Sequence, residues 1–211
     1  SHDLAPKFVH HTNEFLDYFE PMIKEYDQIL SGNIIFVERT ADVGIITPEV
    51  GINFGVTGPS LRGSGISHDL RKDEPYSIYD KFDFDVPVGK GMMGSVGDCW
   101  DRYWVRMREM EESIKILRQA LGRIPSGDVH SAIPKKVRPS KGEIYSRYET
   151  ARGDVGFYIR SGGKNIPQRL KMRSPAFCNL SVFSEISEGW MMSDVITILG
   201  SLDIVLGEID R

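Results

Sequence analysis

Apolar residues in the first part of the chain recur at helical spacing. They are separated by three, four or seven positions, at Phe8, Phe15, Phe19, Met22, Tyr26 and Leu30. This pattern predicts a helix over about residues 6–31. Pro21 interrupts the pattern, so we expect either a kink or two short helices that meet there. Gly32 and Asn33 end the helix, and residues 34–37 predict a short extended segment.

The clearest element is a helix at about residues 99–121. Its apolar stripe recurs every three or four positions, at Tyr103, Met107, Met110, Ile114, Leu117 and Leu121. Such a stripe is typical of core packing rather than of a cofactor site. Asp98 is placed to cap this helix and Gly122 to end it. Its other faces are predicted to carry charged residues: Arg102, Arg106, Glu109, Glu112 and Arg118. Residues 47–49, Thr-Pro-Glu, carry the cap and first turn of another helix.

Residues 58–87 are too rich in glycine and charge to form one helix, and too irregular to form one strand. Charged or ionisable side chains crowd the segment, and aromatic residues follow them at Tyr76, Tyr79, Phe82 and Phe84. A solvated linker has no use for four aromatic residues, so we interpret the segment as an ordered loop packed over a core. It is either functional or a structural loop whose charges pair with one another.

The apolar period changes to two near residue 143, which indicates strands. Strands are predicted at residues 143–149, 154–160 and 168–173, with a hairpin turn at 161–164. A final helix at about 188–199 is apolar nearly all round, so it is buried in its own core or against a partner. We therefore expect three regions: a helical region (1–122), a linker (123–142), and a hairpin region with a C-terminal helix (143–211). The predicted fold class is mainly α, a helical bundle with a small antiparallel β-sheet.

Composition excludes several classes of protein. The chain has 211 residues, 40% of them hydrophobic and 27% charged, which suits one sizeable core. Its net charge of −4 gives no support for nucleic-acid binding. The apolar stretch at 189–206 is too short and too polar to span a bilayer, and the opening residues predict no signal peptide. Cys99 and Cys178 have neither a metal nor a redox spacing, which indicates free thiols in a reducing compartment.

Local motifs for catalysis are absent from the sequence. No phosphate-binding Gly-x-x-x-x-Gly-Lys-Ser/Thr loop is present, so nucleotide binding is not expected. The histidines are His2, His10, His11, His68 and His130. His10 and His11 are neighbours on a predicted helix and point to different faces, so they do not form a ligand pair. Each histidine is interpreted as structural or solvated.

Three long stretches of the sequence do resemble a known family. They read GPSLRGSGISHDLRKDEPYSIYDKFDFDVPVG, GDCWDRYWVRMREMEESIKILRQAL and GSLDIVLGEIDR. In this order they resemble the large quinone-site subunit of respiratory complex I, the 49 kDa or D subunit of NADH-quinone oxidoreductase. The resemblance covers nearly the whole chain, from about Asp3 to Arg211. That family is in turn similar to the nickel-iron hydrogenase large subunit.

The resemblance implies a pocket that has lost its metal. In the hydrogenase relatives, a C-terminal Cys-x-x-Cys pair holds nickel. Val205 and Glu208 stand at those positions here, so the soft thiolate donors are missing. Residues 149–156 resemble a second shared motif, Glu-x-Pro-Arg-Gly-x-x-Gly, with Ala151 in place of the proline. By this resemblance Arg152 donates hydrogen bonds towards the pocket; the alternative is a structural arginine at a strand turn.

The resemblance also implies a set of site residues near the C-terminus. Asp203 and Arg152 are expected to be catalytic, with Val205, Ile204 and Arg211 in the quinone pocket. Asp203 is a carboxylate among hydrophobic side chains, so it must be hydrogen-bonded, paired or protonated. The alternative role for Asp203 is a helix cap bonded to backbone amides.

The implied cofactors and partners belong to a larger assembly. Quinone is the expected substrate, while NAD and the iron–sulfur clusters are bound by other subunits and none is bound by this chain. The headgroup-binding residues of the family lie in an N-terminal portion that this sequence does not include, so we expect an excised C-terminal part. Expected partners are that N-terminal part, the small iron–sulfur subunit and other complex I subunits. The expected location is peripheral, on the cytoplasmic side of the cell inner membrane.

Two alternatives from other classes stay open. One is a subunit of a membrane-associated hydrogenase or of a dehydrogenase fed by deazaflavin or ferredoxin. The missing cysteines argue against its metal chemistry. The other is a structural scaffold that holds the small subunit without forming a quinone site.

Overall fold

The computed structural model of the chain describes residues 3–128, 131–132 and 134–210. The helices are α1 (Phe8–Tyr26), α2 (Ile34–Thr40), α3 (Pro48–Asn53), α4 (Pro59–Gly63), α5 (Leu70–Asp73), α6 (Cys99–Leu121), α7 (Pro175–Ser181), α8 (Phe183–Ser187), α9 (Met192–Ser201) and α10 (Leu206–Ile209). The strands are β1 (Gly142–Thr150), β2 (Gly153–Ser161) and β3 (Arg169–Arg173). The predicted fold class, mainly α with a small antiparallel sheet, is confirmed.

The first helix is continuous through Pro21 and passes directly into a π-helical turn, Asp27–Ser31. Two separate helices meeting at Pro21 were one of the two expected arrangements, and that arrangement is wrong. Packing explains the continuity, because Leu16 and Ile23 lie on either side of Pro21 and are both buried against α6. This contact holds the helix together across the residue that lacks a backbone N–H.

The predicted extended segment at residues 34–37 is also wrong, because these residues begin helix α2. The Asn33 side chain caps this helix by accepting hydrogen bonds from the backbone N–H groups of Ile35 and Phe36. Asn33 therefore begins a helix as well as following one. The cap outweighs the β-preference of the Ile-Ile-Phe-Val run that follows it.

Helix α6 lies at the centre of the molecule and has the predicted bounds. Asp98 caps it by accepting a hydrogen bond from the Asp101 N–H at 2.7 Å. The sequence predicts Arg102 and Arg106 on faces other than the apolar stripe, and it gives no sign that Arg102 is buried there. Arg102 is fully buried, and it donates to the backbone oxygens of Gly97 and Gly44 and to Ser201 Oγ. Its hydrogen bonds replace water, which makes the burial of this cation possible.

The three strands pair in the order β1-β2-β3, antiparallel throughout, as the alternating pattern predicted. Because the side chains of a strand alternate, the pairing divides the sheet into two faces. One face carries Ile144, Ile159 and Leu170 in a single row, and the other carries charged and tyrosine residues. The two-residue turn between β1 and β2 lies at one end of the sheet, and the longer 162–168 connection lies at the other.

The main hydrophobic cluster draws on both ends of the sequence. It contains Val43, Ile46, Val56, Leu61, Cys99, Val182, Ile186, Ile198 and Leu202. Helix α9 buries Ile198 in this cluster, while Met192 and Ile196 on its other side are 80% and 70% exposed. The helix predicted at 188–199 therefore packs one face in its own core.

The 58–87 segment is ordered, and it contains α4, α5 and a 3-10 turn at Tyr79–Lys81. Phe82 and Phe84 are buried, so the aromatic residues pack inward as an ordered loop requires. Across the described residues, no helix is long and apolar enough to cross a membrane.

Candidate functional site

The structure brings together the two residues predicted to be catalytic. Arg152 lies in the turn between β1 and β2, and Asp203 follows α9. Arg152 Nε is 3.3 Å from Asp203 Oδ2, and Arg152 Nη2 is 3.4 Å from Asp203 Oδ1. About a third of each side chain is exposed, with values of 34% and 38%. Asp203 is therefore paired with a cation, which is one of the three states expected for it.

A close contact between two glycines places the Arg152 turn. A Cβ added to Gly58 would lie 2.5 Å from the Gly153 Cα, and both residues have positive φ angles, 65° and 127°. Only glycine allows the two backbones to approach so closely with these angles. The start of α4 and the β1–β2 turn are thereby pressed together, next to Arg152.

Asn179 on α7 fixes the same turn with buried hydrogen bonds. Its Nδ2 donates to the backbone oxygens of Arg152 and Thr57, at 3.1 Å and 3.3 Å. Its Oδ1 accepts from the Thr57 N–H at 2.9 Å. Three parts of the chain that are distant in sequence therefore determine where the Arg152 side chain begins.

Arg106 is a second cation beside Asp203, and the sequence pattern missed it. Its Nε lies 3.8 Å from Asp203 Oδ2, while its guanidinium donates to the Arg102 backbone oxygen and to Ser60 Oγ. Burial lowers the pKa of Arg106 to about 10, and the Asp203 carboxylate opposes this shift. The arginine still carries its proton at neutral pH, so Asp203 lies between two cations.

A buried ionic cluster lies on the neighbouring turns of α4 and α6. Arg62 is 1% exposed, and it donates from Nε to Glu109 at 2.6 Å and from Nη1 to Glu149 at 2.9 Å. Burial alone would lower the pKa of Arg62, but Glu109 and Glu149 raise it instead. Burial would likewise raise the pKa of Asp69, yet hydrogen bonds from Arg71 lower it. The charges of the 58–87 segment thus pair with each other and with β1 and α6.

The residues that follow Asp203 have different surroundings. Ile204 packs against the main hydrophobic cluster, and Val205 is half-buried at the start of α10. Glu208 accepts hydrogen bonds from Ser174 Oγ and from the Ala176 N–H, which connects α10 to α7. Arg211, the remaining predicted pocket residue, lies outside the described residues. The described part of the chain has no group of three or more metal-ligating side chains suited to a metal ion.

A cavity of about 470 Å³ lies between the sheet, α7 and α10. Its lining includes Tyr145, Tyr158, Phe177, Cys178 and Glu208. Asp203, Arg152 and Val205 do not line this cavity.

One feature of the sequence predicts that Arg106 lies in a packed part of the molecule. The first turns of α6 follow a glycine-rich run at residues 89–97. Glycines let other backbone approach closely, so a helix that starts beside them can be covered on all sides. Arg102 and Arg106 occupy those turns, and the apolar stripe alone gives no indication that Arg102 is buried and Arg106 half-buried.

Comparison with known proteins places the chain in a family. The profile described as "Respiratory-chain NADH dehydrogenase, 49 Kd subunit" matches residues 1–142 and 130–211, so the chain belongs to this family. It is 47% identical over 215 aligned residues to the NADH-quinone oxidoreductase D subunit of Chlorobium luteolum. The corresponding D subunits of Chlorobaculum tepidum and Desulforamulus reducens are 48% and 43% identical. The whole chain aligns in each case, and it spans about half of these relatives, 54%, 54% and 56% of their length.

Proposed function

We propose that this chain forms part of the quinone-site subunit of a proton-pumping NADH-quinone oxidoreductase. Its relatives are named as the D subunit of an NADH-quinone oxidoreductase. The observation that supports a role at the quinone site is the partly exposed Arg152–Asp203 pair, with Arg106 next to it. Ile204 and Val205, the next two residues of the chain, are half-buried, and in this proposal Val205 provides an apolar wall beside the pair. Cations beside an apolar surface suit a ligand with a polar carbonyl head and a hydrophobic body.

In this proposal Arg152 acts on the quinone oxygen. A guanidinium is permanently charged, so it can donate a hydrogen bond to a carbonyl oxygen and stabilise the negative charge that develops there on reduction. Asp203 holds the guanidinium in position through two contacts. Arg106 lies near the same carboxylate oxygen and in turn limits the movement of Asp203. The electrons come from an iron–sulfur cluster of a neighbouring small subunit, and NAD is bound elsewhere in the complex.

The proposed location follows from the same assignment. The chain would sit at the periphery of the membrane, on the cytoplasmic side of the cell inner membrane, in contact with other subunits of complex I. A scaffold without a quinone site is the competing function. It predicts that the Arg152–Asp203 pair contributes only to stability.

Substitution of Asp203 in the assembled complex separates these two functions. We expect Asp203→Asn to lower quinone reductase activity about tenfold or more, because a misplaced Arg152 loses a transition-state interaction. Reduction of the iron–sulfur clusters by NADH is expected to stay normal, as seen by electron paramagnetic resonance. Val205→Met is expected to change inhibitor sensitivity more than turnover, because it alters only the shape of the wall.

Asp210→Asn provides the matched control, since Asp210 is an exposed carboxylate seven positions further on. It is expected to leave activity and inhibitor response unchanged. If the Asp203 and Val205 variants assemble normally and keep wild-type activity and inhibitor response, the pocket lies elsewhere and the scaffold function is correct.

A further inference from the structure

The charge of the chain is distributed unevenly. Residues 134–173 hold eleven Lys or Arg and three Asp or Glu, a net charge of +8, whereas the whole chain carries −4. Three of these cations, Arg147, Arg152 and Arg173, lie near the body of the protein and are paired with carboxylates. The other eight form no ion pair with any described residue. They are Lys135, Lys136, Arg138, Lys141, Arg160, Lys164, Arg169 and Lys171, and we call them the distal basic surface.

The distal basic surface lies towards the far end of the sheet, and its first three cations, Lys135, Lys136 and Arg138, precede the sheet in the linker. Ser161 Oγ donates to the Pro139 backbone oxygen at 3.0 Å, which holds the end of the linker against the β2–β3 connection. Arg160 and Arg169 are register partners on adjacent strands. All eight cations are exposed, and Glu143 is the acidic residue among them, next to Arg160. The surface therefore presents a concentrated positive charge to its surroundings.

Exposed aliphatic side chains accompany these cations. Ile144, Ile159 and Leu170 form a row across the opposite face of the sheet, and they are 62%, 37% and 52% exposed. Ile166, in the β2–β3 connection, is 70% exposed and lies two residues from Lys164. The far end of the sheet is thus a projecting ribbon with an aliphatic face, an aliphatic tip and a basic face.

We propose that the distal basic surface docks on an anionic lipid bilayer, with Ile166 entering the headgroup layer. Basic side chains are attracted to the negative potential of such a surface, and adjacent aliphatic residues bind in its interfacial layer. Five of the eight cations are lysines, which protein–protein interfaces generally lack. A duplex nucleic acid would need only the cations, which contact its phosphates, so the exposed aliphatic row and tip are the features that favour a bilayer. The acidic remainder of the chain would be repelled by the bilayer, so the docked orientation is fixed.

This inference is independent of the quinone site. Arg152 lies just before the other end of β2, about 26 Å away along the strand, since its nine residues are separated by eight steps of about 3.3 Å. Lipid binding by the chain alone needs no quinone, no cluster and no partner subunit. The outcome of a binding test therefore does not depend on the proposed quinone function.

Vesicle flotation with the 211-residue chain tests the proposal. We expect binding to vesicles of phosphatidylglycerol mixed with phosphatidylcholine, release in high salt, and no binding to phosphatidylcholine alone. Lys164→Glu with Arg169→Glu is expected to weaken binding at least about tenfold, because four units of charge change at the surface. Lys7→Glu with Lys24→Glu makes the same charge change at the two ends of α1 and is expected to have a much smaller effect.

A fluorescence measurement tests the inserted tip. Ile166→Trp is expected to show a blue-shifted emission when anionic vesicles are added. Ile34→Trp, at an equally exposed position on α2, is expected to show none. The proposal is overturned if the chain does not bind anionic vesicles, or if both double variants bind these vesicles equally well. It is also overturned if the chain binds duplex DNA more tightly than vesicles at the same salt concentration.

Discussion

At the scale of the residue, the interior of this protein depends on paired charges. Arg62 is almost completely buried, and three carboxylates surround it: Glu109, Glu149 and Asp69. It also donates to the His68 backbone oxygen at 2.9 Å. A buried cation is tolerated only when its hydrogen bonds and charge are matched in this way. Removing it would leave Glu109 and Glu149 without the cation that pairs with them, although Asp69 would keep Arg71.

Replacement of Arg62 by methionine is therefore expected to be severe. We expect Arg62→Met to lower the free energy of unfolding by about 3–5 kcal/mol, because it leaves uncompensated buried charge. Urea denaturation followed by circular dichroism measures the change. Adding Glu149→Gln to this variant is expected to restore part of the loss, since one of the unpaired carboxylates is then removed.

Arg118→Met is the control, because Arg118 also bonds two carboxylates, Asp17 and Glu20, but at the surface. Its unfolding midpoint should stay close to that of the wild type. Equal losses in the two single variants would contradict a structural role for the buried cluster.

The Arg152–Asp203 site was partly predictable from the sequence. An aspartate among apolar residues has to find a partner, and Asp203 does so with Arg152. The second partner, Arg106, could not be predicted from a helical stripe. Its burial depends on α4 and on the residues after α9, which come together only in the folded chain.

At the scale of the element, the period of the apolar residues predicted most of the structure. Alternation identified all three strands, and the stripe at residues 99–121 gave the bounds of α6. Prediction failed where a short segment had conflicting signals. The β-branched run of α2 suggested a strand, although Asn33 caps it as a helix. Helices α7 and α8 are seven and five residues long, and segments of that length are too short to establish a period.

The position of the β1–β2 turn gives a prediction at this scale. We expect Gly153→Ala to lower the free energy of unfolding by about 3 kcal/mol or more. The alanine would be held at a strained φ angle, and its Cβ would also clash with neighbouring atoms. A Cβ at this position would lie 2.4 Å from Thr57 Oγ1 and 2.7 Å from the Gly58 nitrogen. Thermal and urea unfolding measure the loss.

Gly163→Ala is the matched control for this change. Gly163 also has a positive φ, 80°, but the nearest atom to an added Cβ is Lys141 Cγ at 3.6 Å. Only the conformational cost of about 1–2 kcal/mol then remains. If both alanine variants lose the same stability, the close approach of Gly58 and Gly153 does not position the turn.

At the scale of the whole molecule, the core is assembled from elements far apart in sequence. Val43 and Ile46 pack with Val182 and Ile198, although well over a hundred residues separate the two pairs. Periodicity cannot identify such partners, because it reports which face of an element is apolar and not what covers it. The same limit applies to α9, whose apolar residues cover almost its whole circumference while the chain buries only one side.

The exposed side of α9 gives the last prediction. Met192 and Ile196 are 80% and 70% exposed, and Leu206 nearby in sequence is 79% exposed. Exposed apolar patches are typical of interaction surfaces, so we expect a partner to cover this side of α9. We expect the isolated chain to bind a hydrophobic dye, and Met192→Ser with Ile196→Ser to lower that binding. The free energy of unfolding of this double variant should stay within about 0.5 kcal/mol of the wild-type value, because neither replaced side chain is buried.

Ile198→Ser on the same helix is the control that tells a loss of exposed apolar surface from a loss of stability. Ile198 is fully buried in the main cluster, so this variant is expected to lose about 3 kcal/mol or more of unfolding free energy. While it remains folded, its dye binding should not fall. Buried aromatic residues at Phe82 and Phe84 mean that the 58–87 segment adds little to the dye signal. If the α9 double variant binds as much dye as the wild type, the exposed face of this helix is not the surface that a partner covers.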